Sequence, residues 1–400
     1  MYFGLLFFLA GLTSGCNRTS LPPRDTVVVA LSAPPSTLDP RFATDATGSR
    51  IAGLLFSSLT RIGPELKPVP EAAKDWTHQG LVYTFHVRDD LKFSNGRDVT
   101  ADDIEFSFHE AMAPQSPFAS SLNTIDSVHV DFAGGKHDVV IKLRESLATF
   151  LGDLSEVKIL PKAETMAAGK AFAQNPIGSG PFAFEMMNAN EIRLRANPFS
   201  SYAKPKLSFA DFKIIRDDNT RVQKLIKGEI DLAQQELPPS KINELESHAN
   251  LKVFKYAGLS MTYLLLNLKD PVFAKLPVRK AIAGAIDRDK IIRYKLEGLA
   301  EVATSILTPS NPFFPKDLHL EPFDLEKSSR SVQDLKVGNQ EFILKTNNTP
   351  SSADNGRVIA HQLIDVGLNV KVQSFEWGTF YGDVQNGRFQ MALLRWVGTV

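Results

Sequence analysis

The sequence predicts an α/β protein built from more than one lobe, and three observations carry that prediction. Strand-like and helix-like stretches alternate along most of the chain. Its 400 residues exceed what one small core organises. The 43% hydrophobic and 22% charged residues describe a globular chain. Lys+Arg and Asp+Glu both number 45, so nothing points to an electrostatic nucleic-acid binder. No period of about 20 to 50 residues recurs, which argues against a repeat protein.

Tyr2 to Leu12 are apolar except for glycine and the tyrosine hydroxyl, and Thr13-Ser14-Gly15-Cys16 follows. Residues 1–16 therefore read as a signal-peptide core with a lipoprotein cleavage site. Cys16 is the only cysteine, so it forms no internal disulfide. It reads as a lipid attachment point; a chance cysteine in an uncleaved anchor is the alternative. Leu12 stands four residues before Cys16, and no Lys or Arg precedes Arg18. Export to the periplasm or cell surface, with the membrane met only through the lipid, is expected. Asn17 to Asp25, with Pro22-Pro23, reads as a tether.

Val27 to Leu31 is a continuous apolar run that fits a buried strand. It leads to Ser36-Thr37-Leu38-Asp39-Pro40, where the residue before proline is held extended. Ser49 to Phe56 looks helical. Leu81, Tyr83, Phe85 and Val87 alternate with Val82, Thr84, His86 and Arg88, the period of a strand with one buried face. Leu91 to Phe93 is a short extended piece, and Asn95-Gly96 supplies a tight turn. Thr100 and Asp103 form a capping-box pair, with Val99 and Ile104 placed for a hydrophobic staple, so a helix runs on through Phe108 and Met112.

Val128 to Phe132 and Val139 to Leu143 alternate around Gly134-Gly135, a hairpin pattern. Ile159 to Lys162 precedes a helix, and Asn175 to Phe182 is dense in turn formers. Phe209 to Ile215 reads as a strand and Thr220 to Lys227 as a helix ending at Gly228. Tyr256 to Asn267 is apolar and β-rich. Pro277 opens a helix whose Val278, Ala281, Ile282, Ala285 and Ile286 share a face. Phe342 to Thr346 reads as a strand, Asp354 to Val366 as a helix ended by Gly367, Val370 to Val372 as a strand and Phe389 to Trp396 as a buried strand.

Several of these stretches carry a resemblance. YTFHVRDDLKFSNGRDVTADDIEFSF, the Leu-Thr-Arg of residues 59–61, Glu229-Ile230-Asp231 and VRKAIAGAIDR appear in order, and the chain resembles the family 5 extracellular solute-binding proteins of peptide and nickel ABC importers. The resemblance spans residues 27 to 400. It implies a periplasmic-binding-protein-like fold, two large lobes with a hinge plus a smaller β-rich domain. The implied partition is 26–58 and 168–255 for lobe I, 59–167 for the small domain II, and 256–400 for an incomplete lobe III. Family members continue well past this point, so the sequence is expected to be a fragment.

The resemblance implies that the strand and loop ending in Trp396, Val397, Gly398 and Thr399 runs along an extended peptide and binds its backbone. Trp377 corresponds to a second tryptophan that walls the site, Tyr263 lies near a tyrosine cluster facing the cleft, and Ser36 lies in the loop at the cleft floor. Both tryptophans also fit core positions. Peptide binders of the family carry an aspartate three residues after the strand tryptophan, and here that position is Thr399. A hydroxyl does not neutralise a buried ammonium, so the ligand is expected to lack a free amino terminus or to anchor through another acid. Arg395 fits either a carboxylate clamp or a surface position.

An enzyme is the competing class. None of the eight histidines forms HExxH or a His/Cys metal spacing, and there is no P-loop or GxGxxG. Gly178-Ser179-Gly180 is not a nucleophile elbow, because its glycines flank the serine directly. No catalytic residue, metal or cofactor is expected. The expectation is a monomeric, lipid-anchored binding component of an ABC importer, taking peptide or a similar extended solute to a membrane permease. A ligand-sensing or repurposed lipoprotein, and a nickel-chelate binder, are the alternatives.

Overall fold

The computed structural model describes residues 25–131, 138–234, 237–256, 258–309 and 314–396. Strand β1 (Thr26–Leu31) leads through a loop to helix α1 (Ala46–Leu55), which Asp45 caps by accepting from the Gly48 amide. A two-stranded ribbon follows, β2 (Thr60–Ile62) against β3 (Pro68–Pro70). Next come β4 (Ala73–Gln79), β5 (Val82–Val87), α2 (Ala101–Met112), β6 (Ile125–Asp131) and β7 (Asp138–Leu143), whose strands form an antiparallel sheet in the order β4-β5-β7-β6. Phe85 and Val87 of the alternating run are buried, and Ile104 and Phe108 of α2 pack in the same core.

The turn at Asn95-Gly96 forms with Gly96 at φ 88°, although Leu91 to Phe93 contributes only the bridge Lys92 to Asp98. Asp103 Oδ2 accepts from the Thr100 amide at 2.9 Å, and Val99 packs on the core that holds Ile104. Thus the capping box and the staple are both made.

The short α3 (Phe150–Asp153) and α4 (Lys162–Ala168) lead back to the first sheet through Gly178-Ser179-Gly180. These glycines serve a close approach: a Cβ at Gly178 would overlap the Leu55 carbonyl, and one at Gly180 would lie 2.5 Å from the Leu54 oxygen. Ser179 Oγ meets Ser57 Oγ at 2.5 Å in the buried joint. Strands β8 (Phe182–Met187), β9 (Glu191–Ala196) and β10 (Phe209–Ile214), then α5 (Asp218–Ile226) and β11 (Leu232–Ala233), complete a five-stranded sheet in the order β11-β1-β10-β9-β8.

After α6 (Ile242–Glu246) the chain enters a third region. Its first strand, β12 (Met261–Leu266), starts five residues later than the apolar run beginning at Tyr256; Tyr256 is 83% exposed. Helices α7 (Leu276–Ala285), α8 (Arg288–Tyr294) and α9 (Leu325–Asp334) precede β13 (Glu341–Asn347), α10 (Pro350–Asp365), β14 (Asn369–Phe375), α11 (Trp377–Gln385) and β15 (Met391–Trp396). Helix α10 begins four residues before Asp354 because Pro350 occupies its first turn, where proline's missing amide costs nothing.

The sheet order in this region is β12-β15-β13-β14. Alternation along the strands separates its two faces. Leu264, Leu266, Met391 and Leu393 pack under α7 and α10, while Tyr263, Leu265, Ala392 and Leu394 pack under α11. The α/β expectation therefore holds, with helices on both faces of this sheet. Among the described residues no helix is long and apolar enough to cross a membrane.

Candidate functional site

The loop between β1 and α1 forms one face of the candidate site. Asp45 does two jobs there. Its Oδ1 accepts from the Gly48 amide at 2.8 Å, closing the first turn of α1, while its Oδ2 accepts from the amide and hydroxyl of Ser36 at 2.9 and 2.5 Å. Ser36 is thus tied to the start of α1. Deeper in the loop, Asp39 is buried and grips Arg41 in a two-pronged ion pair, Nε to Oδ1 at 3.0 Å and Nη2 to Oδ2 at 2.7 Å. The Asp39 carboxylate raises the Arg41 pKa above its ordinary value, against the effect of burial.

The opposite face is helix α11 on its sheet. Glu376 caps the helix, its Oε2 accepting from the Gly378 amide at 2.9 Å and the Thr379 amide at 3.4 Å. Trp377, the first helical residue, stacks on Tyr381 one turn later, with centroids 5.2 Å apart and planes at 10°. Beneath it, Phe380 is 1% exposed and packs with Ala392 and Leu394. Lys345 fastens the far end of the helix, its Nζ reaching Asp383 Oδ2 at 2.7 Å and the Arg388 carbonyl at 2.9 Å. That lysine, with Arg388 at 2.9 Å, holds the Asp383 carboxyl below the usual aspartate value.

The two faces touch. Trp377 Nε1 donates to Thr44 Oγ1 at 3.3 Å, a contact between residues 333 apart in sequence. Since Thr44 precedes Asp45 and Trp377 follows Glu376, the starts of α1 and α11 meet at this point.

Of the residues singled out in the sequence, Trp377 makes this contact, and Ser36 is bonded to Asp45, next to Thr44. Tyr263 shares the Phe380 cluster with Trp377, and burial followed by the nearby Tyr381 raises its pKa. Trp396 lies opposite Met261 at the end of β15, on the Tyr263 face of the sheet, and is 52% exposed rather than packed in that cluster. Val397, Gly398 and Thr399, like Cys16, lie outside the described residues.

The β15 ladders differ on their two sides. Pairing with β12 continues to Trp396, whereas pairing with β13 stops at Ala392.

Sequence reasoning missed Thr44, Arg41 and Asp45; only Asp45, a good N-cap three residues before Gly48, had a local signal. Among the described residues no group of three or more His, Cys, Asp and Glu is arranged to hold a metal. His86 sits between two aspartates, its Nδ1 at 2.8 Å from Asp138 and its Nε2 at 3.7 Å from Asp75, far from the facing pair in sequence and fold. Two surface grooves, about 360 Å³ between α10 and β14 and about 390 Å³ between α7 and α9, do not include Trp377.

This is the architecture of a periplasmic-type binding protein, with separate sheets meeting through their loops and helix ends. Residues 67–400 match the bacterial extracellular solute-binding proteins, family 5 Middle, and the chain belongs to that family. It is a solute-binding protein of the peptide ABC importer type, and its family is one of substrate-binding proteins rather than enzymes.

It is 27% identical over 402 residues to the oligopeptide-binding protein AppA of Bacillus subtilis, covering 92% of this chain and 73% of that one. It is 28% identical over 359 residues to a probable di/tripeptide-binding protein of Pseudomonas aeruginosa, covering 82% and 68%. The structure of AppA in complex with a nonapeptide superposes with a TM-score of 0.84 at 26% identity, covering 93% of this chain and 79% of that one. Helicobacter pylori DppA in complex with the peptide STSA superposes at 0.85 and 25% identity, covering 94% and 78%.

Proposed function

We propose that this chain captures a peptide, or a similarly extended solute, between the Ser36–Asp45 loop and the face carrying Tyr263, Trp377 and Trp396. The observation that carries this reading is the Trp377–Thr44 hydrogen bond, which brings the two faces within direct contact. Residues 26–58 with 168–255 act as one lobe and 256–400 as the other, with 59–167 as the accessory domain. The lobes close on the solute and the bond latches them. An extended ligand is bound through its backbone, so affinity is sequence-tolerant and aromatic side chains supply apolar walls.

The relatives named above as peptide binders support peptide as the solute class. With Thr399 in place of an acid, the ligand lacks a free amino terminus or anchors it through another acid. A lipid on Cys16 holds the protein at the membrane, where it hands its solute to a permease.

Titration with tri- to nonapeptides, free and N-acetylated, tests this reading. The chain has three tryptophans, and Trp76 packs in the small domain core, away from α11. Binding should change the intrinsic fluorescence, equal affinity for both forms marking an unread amino terminus and preference for the free form another acid, and Trp377→Phe should reduce the change. No change in the wild type with any peptide contradicts the reading.

A further inference from the structure

The small β-rich sheet contributes none of the residues assigned to the site, yet its helix α2 reaches the site loop. Arg41 Nη1 donates to Glu110 Oε2 at 2.7 Å, across 69 residues of sequence. One helical turn earlier on α2, Phe106 packs into the first sheet's core together with Leu38. Residues four apart lie on one helical face. Glu110 and Phe106 therefore form one edge, which reaches Arg41 of the loop and the core in which the loop's Leu38 is buried.

The remaining face of α2 is committed elsewhere. Ile104, Phe108 and Ala111 are buried in the small sheet's own core, and Asp103 holds Arg97 through Nη1 and Nη2, each at 2.9 Å. Helix α2 is thus anchored independently of the loop it touches.

We infer that helix α2 braces the site loop, and that Arg41, held between Asp39 and Glu110, is a positioning residue for solute capture. The inference rests on the binding reading above. Three of the guanidinium's five N–H donors are taken by two carboxylates, so its orientation is set within the protein. Its fork fixes the turn from Asp39 to Phe42, whose next residues lead to Thr44 and Asp45. A loop already held in its bound geometry loses less freedom on binding, and apparent affinity falls by the fraction of time the loop is misplaced. The small domain serves capture by preorganising one wall.

Glu110→Gln tests the brace, because it removes the charge that α2 supplies and leaves the Asp39–Arg41 pair intact. Two readouts are taken on the purified chain. Amide hydrogen exchange over residues 36–45 should quicken about tenfold, the scale of one charge-assisted hydrogen bond, while β5 and β7 exchange as in the wild type. A peptide that the wild type retains from a pool of tri- to nonapeptides should bind about tenfold more weakly. Arg41→Lys, which keeps the charge and loses the fork, should lie between wild type and Arg41→Met.

Unchanged exchange over 36–45 overturns the brace. So does weaker binding matched by faster exchange throughout the small sheet, which would be general destabilisation. If the wild type retains no peptide while the exchange difference persists, the brace stands as a structural contact and the peptide-binding reading fails.

Discussion

The Ser36–Asp45 loop and helix α11 end one hydrogen bond apart, yet they are held in place by opposite means. The loop has a few apolar anchors and many directed ones: a carboxylate shared between Ser36 and a helix start, and an arginine gripped by two acids. Helix α11 rests on an apolar cluster centred on Phe380, with the Lys345–Asp383 pair fastening its end. Directed bonds fix position narrowly and depend on each partner's geometry. Apolar packing supplies more free energy and tolerates small shifts less sharply. One wall is therefore positioned mainly by charge, the other mainly by volume.

Removing volume should have the largest effect. Phe380→Ala should lower stability by about 3–5 kcal/mol, as for other buried phenylalanines, read by urea unfolding, with loss of the Trp377 spectral environment. A loss under about 1 kcal/mol would show that α11 does not depend on this packing.

The bond between the walls comes next. Thr44→Val preserves shape and removes the acceptor, and should weaken peptide binding by about 1 kcal/mol, roughly fivefold, without altering stability. Equal affinity would mean that the walls meet without the bond contributing.

The smallest effect belongs to Asp383. Its pKa is lowered in the folded chain by Lys345 and then Arg388, so the folded state binds fewer protons than the unfolded one as pH falls. Its contribution is fully present above the unfolded aspartate value of about 3.9 and is lost as pH falls through the lower folded value. Thermal melts of wild type and Asp383→Asn should differ at neutral pH and converge in acid. A difference that grew on acidification would reverse the assignment.

The same contrast explains what could be read from the sequence. Volume is written locally, in periods. The burial of Phe85 and Val87, the shared face of Val278, Ala281 and Ile282, and the buried run from Met391 to Leu394 follow from alternation, helical spacing and a continuous apolar run respectively. The capping pair Thr100 and Asp103 is local too.

Tyr256 misled because an apolar composition says nothing about whether a neighbouring strand is present, and the strand waits until Met261. Helix α11 was missed because Trp377 suggested a wall before its Glu376 cap suggested a helix start. The charged contacts Arg41–Glu110 and Lys345–Asp383 join residues 69 and 38 apart. No period or motif encodes such pairs, since either partner alone looks like an ordinary surface charge. Ser36, Tyr263 and Trp377 were reached through family resemblance; the fold packs Tyr263 and Trp377 in one cluster and ties Ser36 to Asp45, next to Thr44. Thr44 had no signal at all.

Native mass spectrometry tests the central claim most directly. The wild-type chain is mixed with a pool of tri- to nonapeptides and sprayed alongside Trp377→Ala. The account predicts one peptide held per wild-type chain and a large loss of retention in the variant. A wild type that emerges bare from every pool, or a variant that retains peptide equally well, would contradict it.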